Sequence, residues 1–396
     1  MDLTSALDEA PTPTLTPEAF DRIQAALSQG PLAAADTLIA ELRQAEDFNN
    51  LFYALLLKKR VELGVSPFPS GPAAELPPET HEPYEQAIRE SGRLVGQLYL
   101  DRGDFTKAWA FFRMLGELEP MRQALENFQP GEGDDIYPFI EVAWQNGLLP
   151  KKGFDLILDH HGICSAITTV SGSDMTSNPD LRDHCVGRLV RSLHEQLLER
   201  LRADLAGRGV DVPADATITQ MVREHPELLA DDAYHVDTSH LSSVVQMSLY
   251  LPVGKELDMA RDLCEYGLRL TPGLKGGGEA PFDETYDDYL AFLNVVAGVN
   301  VDENLARFRA KAAREAAEGS SYASQVYVNL LVRAGREKDA LAAAREFLLG
   351  ENEQNLVCPG VTELARRVGD YHAISEAGRA RADGVQFLSG LLAARK

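Results

Sequence analysis

The sequence predicts an all-α fold: stacked antiparallel helical hairpins with one irregular insertion near residues 150–180. Three observations predict it. Apolar residues recur at three- and four-residue spacing through most of the chain. Glycine and proline fall mainly between those stripes, where they punctuate helices. Small residues recur at positions where two helices of a hairpin would cross.

The elements follow in order. Over residues 17–29, Phe20, Ile23, Ala26 and Leu27 form a stripe that would face a neighbouring helix. Thr16 before Pro17 and Glu18 is a helix start, an N-cap followed by proline at the first helical position. Gly30 and Pro31 break the chain. A second helix spans residues 32–45 with Ala35, Leu38, Ile39 and Leu42 inward, and a third spans 48–63 with Phe52, Leu55, Leu56 and the stem of Lys59 on successive turns. Residues 1–63 therefore read as an N-terminal helical block. Residues 64–83 hold six prolines, which remove backbone donors and fix φ, so they read as an extended crossover. Within it Pro69, Ser70, Gly71 and Pro72 match the short proline pattern that partner domains bind, a pattern that also arises often by chance.

Residues 92–120 carry the clearest signature. Gly96, Tyr99, Gly103, Ala108, Phe112 and Pro120 occupy the spacing of a tetratricopeptide repeat, and this stretch resembles that family. Gly96 and Ala108 are small where helices cross, Tyr99 and Phe112 fill the gap between hairpins, and Pro120 ends the second helix. Gly92 and Val95 stand where the family has Trp and Leu. The resemblance covers about 30 residues and assigns TPR-like hairpins to residues 84–149. Weaker echoes follow at Ala260, Cys264, Gly267 and Pro272, at Gly335, Ala340 and Ala344, and at Gly369 and Ala377. Residues 251–396 thus read as degenerate repeats, and the whole as a TPR-like α-solenoid.

Residues 150–250 depart from the pattern. Residues 162–179 are β-branched and small, then rich in turn formers, so a strand-like or irregular loop is as good a reading as a helix. A long helix over 180–206 has the stripe Val186, Leu189, Val190, Leu193, Leu197 and Leu201, and another begins near Ser239. The glycines of residues 275–282 lack the following Lys-Ser/Thr of a phosphate loop and read as a plain connector.

Composition limits the function. The 396 residues are 44% hydrophobic and 25% charged, ordinary globular values that exclude a wholly disordered chain. A formal net charge of -23 argues against nucleic acid and against anionic membrane surfaces. No apolar run approaches the roughly 18 residues of a membrane span. The first residues lack a basic end, an apolar stretch and a cleavage site. The four cysteines show no CxxC pair. The expected location is cytoplasmic, with thiols reduced.

Seven of the nine histidines lie between residues 160 and 240, where the repeat pattern is interrupted. Two short constellations stand out: residues 159–164, with His160, His161 and Cys164, and residues 235–240, with His235, Asp237 and His240. A transition metal needs three or four nitrogen, oxygen or sulfur ligands. His160, His161, Cys164, His235 and His240 would supply them for a divalent ion such as zinc if the two turns meet on one rim. His161, His235 and His240 would then be proton shuttles or ligands, with Asp237 as orienting partner. The plainer reading makes Asp237 with Ser239 a helix N-cap, the histidines hydrogen-bonded surface or core residues, and Cys164 a buried, inert thiol. His194 and Glu195 read as part of a solvated charged face. The first expectation is a scaffold that binds a peptide or protein partner on its concave face, as the resemblance implies. The alternative is an enzyme, metal-dependent or not, with a His-lined pocket formed by residues 159–164 and 235–240.

Overall fold

The computed structural model describes residues 15–68, 76–131 and 133–395. Among these residues there are twenty α-helices and no strand, so the all-α expectation is met. They fall into two compact units, divided between Leu156 and Ile157.

The first unit contains α1 (Pro17–Ala26), α2 (Pro31–Gln44), α3 (Phe48–Glu62), α4 (Pro78–Asp101), α5 (Phe105–Leu115), α6 (Glu119–Asn127), α7 (Tyr137–Ile140) and α8 (Pro150–Leu156). Neighbours in sequence pack on one another from α1 to α6, and α3 packs on α4 across the proline-rich segment. Thr16 caps α1 as its residue type predicts. The predicted inward stripe of α1 is only partly inward. Ala19 is buried, whereas Phe20 and Leu27 are exposed, because α1 packs chiefly on the single neighbour α2.

The residues of α4 and α5 that carry the resemblance sit at close packing contacts or turns, with one exception. A Cβ on Gly96 would lie 2.9 Å from the Phe112 ring, so only glycine allows this approach. Ala108 is fully buried, and Tyr99 sits edge-on to Phe48 with their centroids 5.3 Å apart. The exception is Pro120. The helix ends at Gly116 in the left-handed conformation, and Pro120 instead opens α6, where proline's missing N–H costs nothing. The crossover is also shorter than the prolines suggested. α4 starts at Pro78 and contains Pro83 in its second turn, close enough to the N-terminus to lose only one backbone bond. Residues 69–72, the candidate proline motif, lie outside the described residues.

The second unit opens with a π-helical turn, Ile157–His161, and continues through α9 (Gly162–Ser171), α10 (Pro179–Gly207), α11 (Ile218–Glu224), α12 (Thr238–Ser248), α13 (Lys255–Arg269) and α14 (Thr285–Val296). It ends with α15 (Val301–Ala317), α16 (Tyr322–Arg333), α17 (Glu337–Phe347), α18 (Val361–Val368), α19 (Tyr371–Ala380) and α20 (Gly384–Ala393). α10 is its axle. Its stripe from Val186 to Leu201 is buried to 1% exposure or less, and α9, α11, α12 and α13 all pack against it. From α13 onward each helix packs on the next.

The predicted irregular insertion is a correction. Residues 162–171 are α-helical, and only 172–178 form a loop. The hydroxyls of Ser165, Thr168, Thr169 and Ser173 each donate to the carbonyl four residues back, at 2.7–3.1 Å. Side chains that favour strands and turns in isolation are thus satisfied inside a helix, with Ala166 and Ile167 buried.

A buried ionic cluster joins α14 to α15. Asp288 is fully buried and accepts from Lys311 Nζ at 2.7 Å, Arg307 Nε at 2.8 Å and the Glu284 N–H at 2.8 Å. Lys311 also holds Asp283, and Arg307 reaches Asp287 and Glu284. Each formal charge taken out of water is therefore matched by an opposite one.

Candidate functional site: a polar groove across four helices

The histidines singled out in the sequence do not come together. Asp159, at the first constellation, pairs with Arg188 at 2.8 Å, while His235, at the second, bonds Asp204 at 3.0 Å. Both partners lie on α10, sixteen residues apart, which at 1.5 Å per residue is roughly 24 Å along the axis. Among the described residues no group of three or more His, Cys, Asp or Glu side chains is placed to hold a metal ion. The five-ligand set of His160, His161, Cys164, His235 and His240 therefore does not assemble. His160, His161 and Cys164 are exposed, so the thiol is not the buried one expected.

His235 is a strut. Its Nε2 meets Asp204, its Nδ1 lies 3.2 Å from the Tyr266 hydroxyl, and its backbone N–H donates to that hydroxyl at 2.7 Å. With both ring nitrogens engaged, it ties α10 to α13. Asp237 is the N-cap of α12. Its Oδ1 accepts from Ser239 N–H at 2.8 Å, Ser239 Oγ at 2.5 Å and His240 N–H at 3.3 Å. Those donors, the Ser239 hydroxyl first, hold its carboxyl below the usual range. It orients no imidazole.

The Asp204 carboxyl is pulled from 3.8 down to about 2, first by the Arg208 guanidinium and then by His235. A depressed carboxyl stabilises the fold above its unfolded value and loses that contribution as pH falls from about 4 to 2. Allowing for solvent screening of this part-exposed group, Asp204→Asn is expected to cost about 1 kcal/mol at neutral pH. Thermal melts across the acid range should show the variant and the parent converging near pH 2. Parallel curves would mean that Asp204 is not the group responsible.

A polar groove lies in a place the sequence did not single out. α10, α11, α13 and α14 wall an open groove of about 750 Å³. On its α10 wall His194 places Nε2 3.3 Å from Asp262 Oδ2 of α13, and the other oxygen of Asp262 accepts from Thr219 Oγ1 of α11 at 2.5 Å. His194 is thus a paired, largely buried side chain and not part of a solvated face; only 12% of it is exposed. Arg223 of α11 pairs with Glu265 of α13 at 3.0 Å. Arg261 donates through Nε to Asn294 Oδ1 at 2.8 Å, and through Nη1 to Asp258 at 3.1 Å.

Local sequence explains why these groups share a wall. Leu257, Ala260, Leu263, Cys264 and Gly267 bury one face of α13, so Asp258, Arg261, Asp262 and Glu265 occupy the other at three- and four-residue spacing. The face was readable. Its partners were not, because Thr219 and His194 lie 43 and 68 residues from Asp262. α11 is held by a capping box of Thr217 and Gln220.

Most charge in the groove is neutralised within it. One cation and one neutral amide are left uncommitted. Lys255, the first residue of α13, and Asn300, the N-cap of α15, line the groove, and their side chains make no hydrogen bond or ion pair among the described residues. Asn300 adopts φ 46° yet does not cap its own helix. That left-handed backbone costs a residue with a Cβ of order 1 kcal/mol.

Comparison with family models, with curated proteins and with solved structures finds no match to this chain. Among the described residues no helix is long and apolar enough to cross a membrane.

Proposed function

We propose that the chain is a helical-repeat binding protein, TPR-like in the stacking of its hairpins, whose peptide or protein partner lies in the groove between α10, α11, α13 and α14. The observation that carries this reading is the state of the groove's polar groups. The acids and bases that build its walls are paired with each other, while Lys255 and Asn300 in its lining are committed to nothing in the fold. Uncommitted donors beside a neutralised wall suit a ligand that brings its own backbone amides and an occasional carboxylate.

Support for TPR-like stacking comes from the residues of the signature. Gly96 and Gly267 sit where a Cβ would meet a neighbouring ring, and Ala108, Ala340, Ala344 and Ala377 are fully buried. Gly103, Gly335 and Gly369 turn between consecutive helices with positive φ. An enzyme built on this groove is the weaker reading of the same geometry. Thr219 gives its hydroxyl to the Asp262 carboxylate and not to the His194 imidazole, the reverse of the order that would activate a nucleophile.

A random-peptide display selection tests the proposal. Peptides enriched on the parent should bind about tenfold or more weakly to Lys255→Glu and to Asn300→Gly, a loss of about 1.4 kcal/mol each. Glycine at 300 keeps the left-handed backbone while deleting the side chain, so the loss would not reflect strain. Undiminished binding to both variants, or no enrichment at all, would overturn the groove as the site.

A further inference from the structure

We infer that α20 is a self-association surface through which a second copy of this chain docks helix against helix, in antiparallel alignment. α20 presents the densest apolar exposure described. Val385 is 79% exposed, Leu388 and Leu392 are each 54% exposed, and Leu391 is 37% exposed, all within one ten-residue helix. The helix cannot bury them by rolling over. A Cβ on Gly390 would lie 2.5 Å from the Ser375 nitrogen, and one on Gly378 would strike the Phe387 backbone, so α19 and α20 meet through bare backbone at a fixed rotation. Gln386 adds a bond from α20 to the Thr362 hydroxyl at the start of α18. The outward stripe is a consequence of that seating.

Charge and spacing select the occupant. Two chains of net charge -23 repel one another over most of their surfaces, yet no charged residue occurs in α20. Residues 361–396 hold six basic against four acidic side chains, so this end of the molecule does not carry the net negative charge of the chain as a whole. Val385, Leu388 and Leu392 fall at i, i+3 and i+7, the spacing that seats one helix on another as knobs into holes. The ends of α20 complement each other. Asp383 caps its N-terminus and Arg395 follows its C-terminus. An antiparallel two-fold near residues 388 and 389 brings Arg395 of each copy to Asp383 of the other, and sets the negative end of each α20 beside the positive end of its mate. A parallel pair would set like against like. One helix per copy falls short of the roughly 800 Å² per partner of a standard interface, so the dimer should be weak and concentration-dependent.

Sedimentation equilibrium of the 396-residue chain across the micromolar range provides the test. The expected result is a reversible monomer–dimer equilibrium whose dissociation constant rises by about tenfold or more in Leu388→Glu. Because Leu388 is exposed, the variant's circular dichroism and melting should match the parent. In a Cys164→Ser background, which removes the exposed native thiol, Leu388→Cys should cross-link on oxidation and Val385→Cys should not. Cross-linking of both would overturn the antiparallel arrangement. A chain that stays monomeric throughout, a dimer indifferent to Leu388→Glu, or a monomer that instead docks on anionic phospholipid vesicles would overturn the proposal.

Discussion

Lys311→Met is expected to lower the free energy of unfolding of the second unit by about 3–5 kcal/mol, the cost of stripping one partner from a buried ion pair. Asp288 is fully buried, and Lys311, itself only 8% exposed, supplies one of its three hydrogen bonds. With the ammonium gone, Arg307 and the Glu284 N–H remain, but the Asp288 Oδ2 atom loses its only cation. The rim pairs of Arg307 with Glu284 and Asp287 are more exposed and contribute little on their own. Removing both buried charges should therefore cost much less than removing one. Chemical denaturation of Lys311→Met and of Lys311→Met with Asp288→Leu measures both. A single-variant loss below about 1 kcal/mol would show that water reaches the cluster.

The contrast between this cluster and the helices around it shows what a linear sequence can reveal. α10 was legible because its evidence is local. Asn178 accepts from the Leu181 N–H at 3.1 Å to start the helix, and the stripe from Val186 to Leu201 repeats at helical spacing. The glycine and alanine positions of the α4–α5, α16–α17 and α18–α19 pairs were legible for the same reason. α9 was not, since the hydroxyl-to-carbonyl bonds that satisfy its serines and threonines exist only once the helix has formed. The groove was hidden for a different reason. Its pairs join α10, α11, α13 and α14, and periodicity carries no information about which charged face meets which. A regular hairpin array would bring the two histidine turns to one rim, whereas here Asp159 and His235 are tied to residues sixteen apart on α10.

Gly267→Ala is expected to destabilise by about 3 kcal/mol, and the sign of the change decides between two readings of the position. Gly267 lies within α13, where alanine is intrinsically favoured over glycine by about 1 kcal/mol. If local propensity ruled, the variant would be more stable. The packing argues the opposite, because the new Cβ would fall 2.5–2.6 Å from three atoms of the Tyr286 ring. That ring is 1% exposed and has nowhere to swing. Trimming the ring should relieve the clash, so Gly267→Ala with Tyr286→Leu should lose less than the sum of the two single changes. The Tyr286 hydroxyl supplies a control at the same contact. It is buried without a hydrogen-bond partner, and burial pushes its ionisation well above the ordinary tyrosine range. Deleting it in Tyr286→Phe abandons no bond and removes a desolvated polar atom, so that variant should match the parent or gain about 1 kcal/mol. Thermal melts of the parent, Gly267→Ala, Tyr286→Leu, the double variant and Tyr286→Phe test the set. A Tyr286→Phe loss beyond about 1 kcal/mol would mean the hydroxyl has a water partner, and a stabilised Gly267→Ala would mean that α13 and α14 shift apart at this crossing.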